Sequence, residues 1–327
     1  CAGLLVLRRA PAFVGLAILA LLATADLWGV GRRYVSDESP ALQRRRDVAD
    51  VLRAQQTEAD RFLAERAREA GPGTFRVLPQ NPKSTAGPSA YAESVGGYNG
   101  VRLANAEAYL DETLPDAETG YNLGALRLMA VRYVVAQGAI PGLRPVFQDP
   151  QTGLVVSEDS AAAPRAYLVD RAEVVPDAAA VRERVRSPQT DLTRTAFIAA
   201  EVPGVSAAAL SGAPADSGRA SVRLDRFSPD EIVWRVRTDR PRLFVASEVY
   251  YPAGWTATVG DDQAPIVEVN GLVRGVPVPA GDHIVTMRFR PEVHRDSVLV
   301  SWAAFFIAYG GALALASLLW LRRGTPA

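Results

Sequence analysis

Hydropathy and periodicity predict a membrane-anchored α+β protein: a mixed α/β subdomain followed by an antiparallel β-sandwich of jelly-roll type, flanked by two transmembrane helices. Three observations carry this expectation. Two apolar stretches, 11–30 and 297–321, bracket a more polar middle. Residues 74–187 mix short strand patterns with helical ones. From Asp191 onward the hydrophobic period falls to two, the repeat of strands with one buried face.

The first apolar stretch, Pro11 to Val30, is broken only by Thr24 and Asp26 near one end. About 20 apolar residues match the thickness of a hydrocarbon core. Asp26 reads either as an intramembrane acid or as an interfacial residue, and the neighbouring Trp28 favours the interface. The second stretch, Val298 to Leu321, contains no charge, carries Trp302 and Trp320 near its ends and closes on Arg322-Arg323. Arg8-Arg9 and Arg322-Arg323 assign segments 1–10 and 322–327 to the cytoplasm and the middle to the other side, although Arg32, Arg33 and Arg44 to Arg46 oppose this. Cys1 to Leu7 read as the end of a preceding span in a truncated sequence; a lipid-bearing Cys1 is the other reading.

Segment 31–73 carries Val48, Val51, Leu52, Phe62 and Leu63 at helical intervals and ends at Gly71-Pro72-Gly73, so it predicts a solvated helical connector. In 74–187 the expected strands are Phe75–Leu78, Val131–Val135, Leu154–Ser157 and Ala166–Val169. The expected helices are Ala104–Leu110, Leu123–Met129 and Asp177–Arg186. Pro79 to Pro88 and Ser94 to Gly100 are turn-rich and long enough to be functional loops. In 188–296, Ile232, Trp234 and Val236 share a strand face, and Val285, Met287 and Phe289 share another. Asn270-Gly271 between two apolar runs predicts a tight hairpin turn, because both central positions need positive φ.

Thirty-six basic and 36 acidic residues cancel, so no global field draws the chain to nucleic acid. One cysteine excludes an intrachain disulfide, and two histidines only, His283 and His294, not at ligand spacing from each other, exclude a histidine-rich metal site. Phosphate-binding, dinucleotide-binding and nucleophile-elbow motifs are absent from the sequence, so no cofactor, metal or catalytic residue is assigned. Lys83, the single lysine, and His283, at a strand start, are read as ordinary surface residues.

Weak substrate-binding candidates fall in two places. Tyr98 and Asn99 sit in the cluster Gly96 to Gly100, where backbone can approach a ligand or simply turn. Tyr250, Tyr251 and Trp255 lie at a strand end, where they stack on sugar rings, dip into lipid headgroups or pack in the core. Asp261-Asp262 reads as a hairpin turn before a calcium site, and Arg165 as a salt-bridge partner before an anion contact.

The stretches Leu243 to Ala257 and Val276 to Val285 resemble the C-terminal extracytoplasmic region of the YfhO family of bacterial membrane proteins. Ala25 to Trp28, Gly96-Gly97-Tyr98, Met129 to Val135 and Pro164 to Val169 fit the same family in order. Ala253, inserted before Gly254-Trp255, and Gly260-Asp261-Asp262 depart from its pattern, both in loops. The resemblance implies the C-terminal part of a GT-C-type glycosyltransferase in the bacterial cytoplasmic membrane. Its partners would be the lipid bilayer, a polyprenyl-phosphate-linked sugar and an envelope glycan acceptor. The catalytic acid would lie in an early outer loop upstream of this sequence, leaving the fragment inactive by itself. A non-enzymatic glycan- or protein-binding envelope module, and part of a lipid-linked-sugar transporter, are the alternatives.

Overall fold

The computed structural model describes residues 20–30, 56–83, 87–97, 103–116, 120–187, 190–199 and 220–323. These fall into two units, one comprising 56–291 and the other the remaining residues. Of the first expected span, only helix α1 (Ala20–Val30) lies within the described residues.

The 56–291 unit begins with α2 (Glu58–Ala70), β1 (Arg76–Leu78), α3 (Ala104–Ala108), β2 (Pro115–Asp116), β3 (Gly120–Tyr121), α4 (Leu123–Leu128) and β4 (Val131–Ala136). It continues with β5 (Arg144–Gln148), β6 (Val155–Glu158), β7 (Ala166–Leu168), β8 (Arg171–Val174), α5 (Ala178–Arg186) and β9 (Thr195–Ile198). Eight strands complete it: β10 (Ser221–Phe227), β11 (Glu231–Thr238), β12 (Arg242–Val249), β13 (Trp255–Val259), β14 (Asp262–Ala264), β15 (Val267–Val269), β16 (Val273–Val278) and β17 (Gly281–Phe289).

The first sheet has the order β1-β4-β6-β5, with β1 and β4 parallel and the other pairs antiparallel. Helix α2 lies against it. The helix starts where Thr57 and Asp60 cap each other's backbone N–H groups, which satisfies two of the donors a helix start leaves open. Leu63 and Ala59 are buried with Val77, Tyr133 and Val156, so the end of the expected helical connector packs on the first sheet, while 31–55 lie outside the described residues. Its many polar residues occupy the outer face, and only a narrow stripe packs.

Two further sheets, β15-β16-β12-β7 and β10-β11-β17-β13-β14, face each other across one core. Period two explains it: Ile232, Trp234 and Val236 point inward from β11 while Arg235 and Arg237 point to water. Phe244 meets Trp234 edge-on at 5.2 Å. Strand β12 is buried on both faces, because Leu243 and Val245 belong instead to the core formed with α4, α5 and β9. The edge strand β7, from the expected α+β part, pairs antiparallel with β12, so the two parts share a sheet.

The Asn270-Gly271 turn has the positive φ values its sequence predicts, 54° and 66°. Asp261 and Asp262 lie at the β13–β14 hairpin. In the second unit, α6 (Glu292–Arg323) is a 32-residue helix containing the predicted second apolar stretch.

Candidate functional site

Arg76 stands in a strand whose three residues are all buried, and Glu248 stands near the end of β12. A register shift between Ala246 and Val249 takes Ser247 and Glu248 out of the ladder with β16. Ser247 is then tied by other partners: its N–H donates to Arg165 O at 2.8 Å and its Oγ to Leu128 O at 2.7 Å. Its carbonyl accepts from Arg76 Nη1.

Glu248 lies between two guanidinium groups, accepting from Arg76 Nη2 at 2.9 Å and from Arg165 Nη2 at 2.5 Å. Arg165 also donates to Glu93, whose other oxygen accepts from Gly73 N–H at 2.6 Å. The Arg165 guanidinium sits 5.2 Å from the Phe227 ring. Arg274 donates to Val249 O at 3.0 Å and covers the Trp255 ring at 3.9 Å. Arg76, Arg165 and Arg274 are 8%, 5% and 5% exposed, so these charges are nearly out of water.

Burial by itself pushes the Glu248 carboxyl up, but Arg76 and Arg165 outweigh it and hold the group below the ordinary range. Burial lowers Arg274 to about 10, with Arg76 adding repulsion and Glu248 opposing it. Arg165 is raised: burial opposes, and its two glutamates prevail. Two donors in this cluster, Arg165 Nε and Arg274 Nη1, have no hydrogen-bond partner among the described residues. A carboxylate held ionised by two arginines is a poor proton acceptor, so the arrangement locks geometry and does not serve acid–base chemistry. No group of three or more metal-binding side chains occurs among the described residues.

The structure puts Tyr250 and Tyr251 on the loop after β12 and Trp255 at the start of β13, beside this cluster. Trp255 is half-buried against Phe289, ring centres 5.3 Å apart. Tyr250 is fixed by its backbone, donating to Leu272 O at 2.6 Å and accepting from Asn105 Nδ2 at 3.0 Å. Tyr251 is exposed. Tyr98 and Asn99 lie outside the described residues. The adjoining Gly96 is forced by close approach, since a Cβ there would stand 2.6 Å from Pro82 O.

Sequence reasoning anticipated Arg165 as a salt-bridge partner inside the α+β part, and Glu93 is that partner, while Glu248 from the later strands is a second. It missed Arg76, Glu93, Glu248 and Arg274. The available signal was an arginine inside an apolar run, as in Phe75-Arg76-Val77-Leu78 and Val273-Arg274-Gly275-Val276. A separate cleft of about 500 Å³ opens between α2 and the first sheet, where Arg132 and Arg144 both bind Glu158 and Arg66 covers Phe62.

These features define an α+β chain with a buried arginine–glutamate lock next to an aromatic loop and, among the described residues, one helix long and apolar enough to cross a membrane. No known family model matches the chain, and no curated protein does. Two solved structures of the arabinofuranosyltransferase AftD from mycobacteria are similar over 32% of this chain and 8% of theirs, at 24% and 26% identity with TM-scores of 0.20 and 0.18. The chain thus spans a small fraction of that enzyme's length, and similarity at this TM-score carries no argument about fold or activity.

Proposed function

We propose that this chain is the membrane-anchored, extracytoplasmic part of a glycosyltransferase-like membrane protein of the YfhO type, which uses lipid-linked sugars to modify an envelope glycan. In this reading 11–30 and 297–321 are spans, 31–73 leads from the first span into the folded unit, and 74–187 and 188–296 form its α+β and jelly-roll β-sandwich parts. The folded unit positions the acceptor or closes over a catalytic centre carried by other spans. The buried lock beneath the aromatic loop suits it to positioning, because it offers fixed donors and no nucleophile.

The supporting observation is α6. Its 20 residues Asp296–Leu315 have a mean hydropathy of 2.0 and none is buried within the protein. Val298, Leu299, Val300, Trp302, Phe305, Phe306, Ile307, Tyr309 and Leu313 are all exposed. Each such side chain left in water forfeits about 1.5–3 kcal/mol, a loss that a hydrocarbon surrounding removes.

Two measurements test the reading. The chain expressed in bacteria should stay with the membrane after alkaline carbonate washing, and protease added to spheroplasts should cleave within 56–291. The complete protein should transfer sugar from a polyprenyl-phosphate donor; a folded complete protein without transfer sinks the glycosyltransferase assignment. A glycan-binding module without catalysis is the second reading, favoured by the exposed Tyr251 beside Trp255. It requires Trp255→Ala and Tyr251→Ala to weaken glycan binding by the intact chain.

A further inference from the structure

The cleft between α2 and the first sheet carries a charge excess that the chain as a whole lacks. Its walls hold Arg66, Arg132 and Arg144 against Glu69 and Glu158, one positive charge more than negative, in a protein whose formal net charge is zero. Its volume of about 500 Å³ falls within the range of small-molecule sites.

Glu158 organises the basic wall. It is 7% exposed, on the interior strand β6. Burial alone would push its carboxyl up, yet hydrogen bonds from Arg144 and Arg132 hold it below the ordinary carboxylate range. Arg132 Nε and Nη2 donate to Oε1 at 3.0 and 2.9 Å, and Arg144 Nη2 donates to Oε2. One arginine would neutralise this carboxylate, so the second exceeds what its burial demands.

Arg132 spends two donors on Glu158 and Arg144 one, fewer than a guanidinium carries. Their side chains remain 44% and 71% exposed, so further donors stay within reach of a solute. Ring contacts add to the tether: Arg132 lies 5.6 Å from the Tyr133 ring and Arg66 5.2 Å from the Phe62 ring, which itself stacks on Phe147. The guanidinium groups are therefore held before a ligand arrives, which lowers the entropy cost of ordering them on binding.

We infer that this cleft binds a small molecule carrying one singly charged oxyanion, a carboxylate or a phosphodiester, between Arg132 and Arg144, with Arg66 adding charge. A single negative group completes the neutrality of the walls, and the guanidinium fork matches the oxygen spacing of either anion. The inference goes beyond the proposed function and stands whether or not the chain spans a membrane.

The full chain in detergent is titrated calorimetrically at low salt with sodium glucuronate, with glycerophosphoglycerol and with neutral glucose. At least one of the two anions should bind and glucose should not, and the anion that binds identifies the carboxylate or the phosphodiester as the recognised group. Added salt should weaken the binding, since both arginines are open to solvent. Arg144→Gln removes the excess charge and leaves Glu158 with both bonds from Arg132, so it should keep the unfolding midpoint and lose affinity by about tenfold or more. If it lowers the midpoint, Arg66→Gln decides in its place: it leaves Glu158 with both arginines and should weaken binding by about threefold. Absence of binding by both anions, glucose binding as tightly as glucuronate, or unchanged affinity in the deciding variant overturns the site.

Discussion

Glu248 has a side chain 16% exposed and two arginines as its charge partners. Removing one partner of a buried pair costs about 3–5 kcal/mol, because the charges left behind have no water to turn to. Glu248→Gln should therefore lower the stability of the full chain in detergent by about that amount, read from chemical denaturation. A loss below about 1 kcal/mol would show that solvent already screens the cluster. Asp149 supplies the pH dependence. Burial opposes its ionisation, but N–H donors from Thr152, Ala59 and Gln151 prevail and hold the carboxyl at about 2, down from 3.8. A depressed folded value means stability that is complete above the unfolded value and fades as pH falls towards the folded one. The native chain should lose this contribution between about pH 4 and about pH 2. Asp149→Asn should be less stable at neutral pH by about 1–3 kcal/mol and show a flatter decline across that window. An unchanged slope would mean the carboxylate is not held by those three donors.

Among the elements, the β15–β16 hairpin shows what sequence alone can and cannot specify. Asn270-Gly271 announces its turn, since few residue pairs accept two positive φ values in a row. Its wider role was not legible. Asn270 Oδ1 accepts from Phe197 N–H at 2.8 Å and its own N–H donates to Phe197 O at 2.9 Å, joining the turn to β9. Asn270→Ala keeps the backbone donor, strands the buried Phe197 N–H and places a Cβ residue without Asn's tolerance at φ 54°. It should cost about 2–3 kcal/mol by thermal or chemical unfolding. Asn270→Gly, which relieves only the φ problem, should recover part of that. Alternation made β11 readable because it has one wet face, and β17 less fully, since Thr286 on its outer side is buried between Val285 and Met287. It was silent on Arg76 and Arg274, because the partners that make a buried arginine tolerable come from distant segments.

At the scale of the molecule, the decisive fact is that the middle sheet belongs to two cores at once. Phe244 and Ala246 on one face of β12 close against the outer sheet, while Leu243 and Val245 on the other face close against α4, α5 and β9. The lock repeats the coupling in charge, since Arg76 and Arg165 come from the first half and Glu248 from the second. Neither half then has a reason to be stable alone. A fragment carrying 188–291 would open the inner face of Leu243, Val245, Val269 and Val273 to water and leave Glu248 without its arginines. At about 1.5–3 kcal/mol for each buried apolar side chain, those four alone forfeit about 6–12 kcal/mol, as much as the whole margin by which ordinary domains are stable. The 56–291 unit should unfold in one cooperative transition seen alike by circular dichroism and by Trp234 fluorescence. The 188–291 fragment should be aggregated or unfolded, and mixing it with a 56–187 fragment should restore the native signal if any association occurs. Two separated transitions in 56–291, or a soluble 188–291 fragment with protected amides in β12, would show instead that the shared sheet does not join the halves into one folding unit.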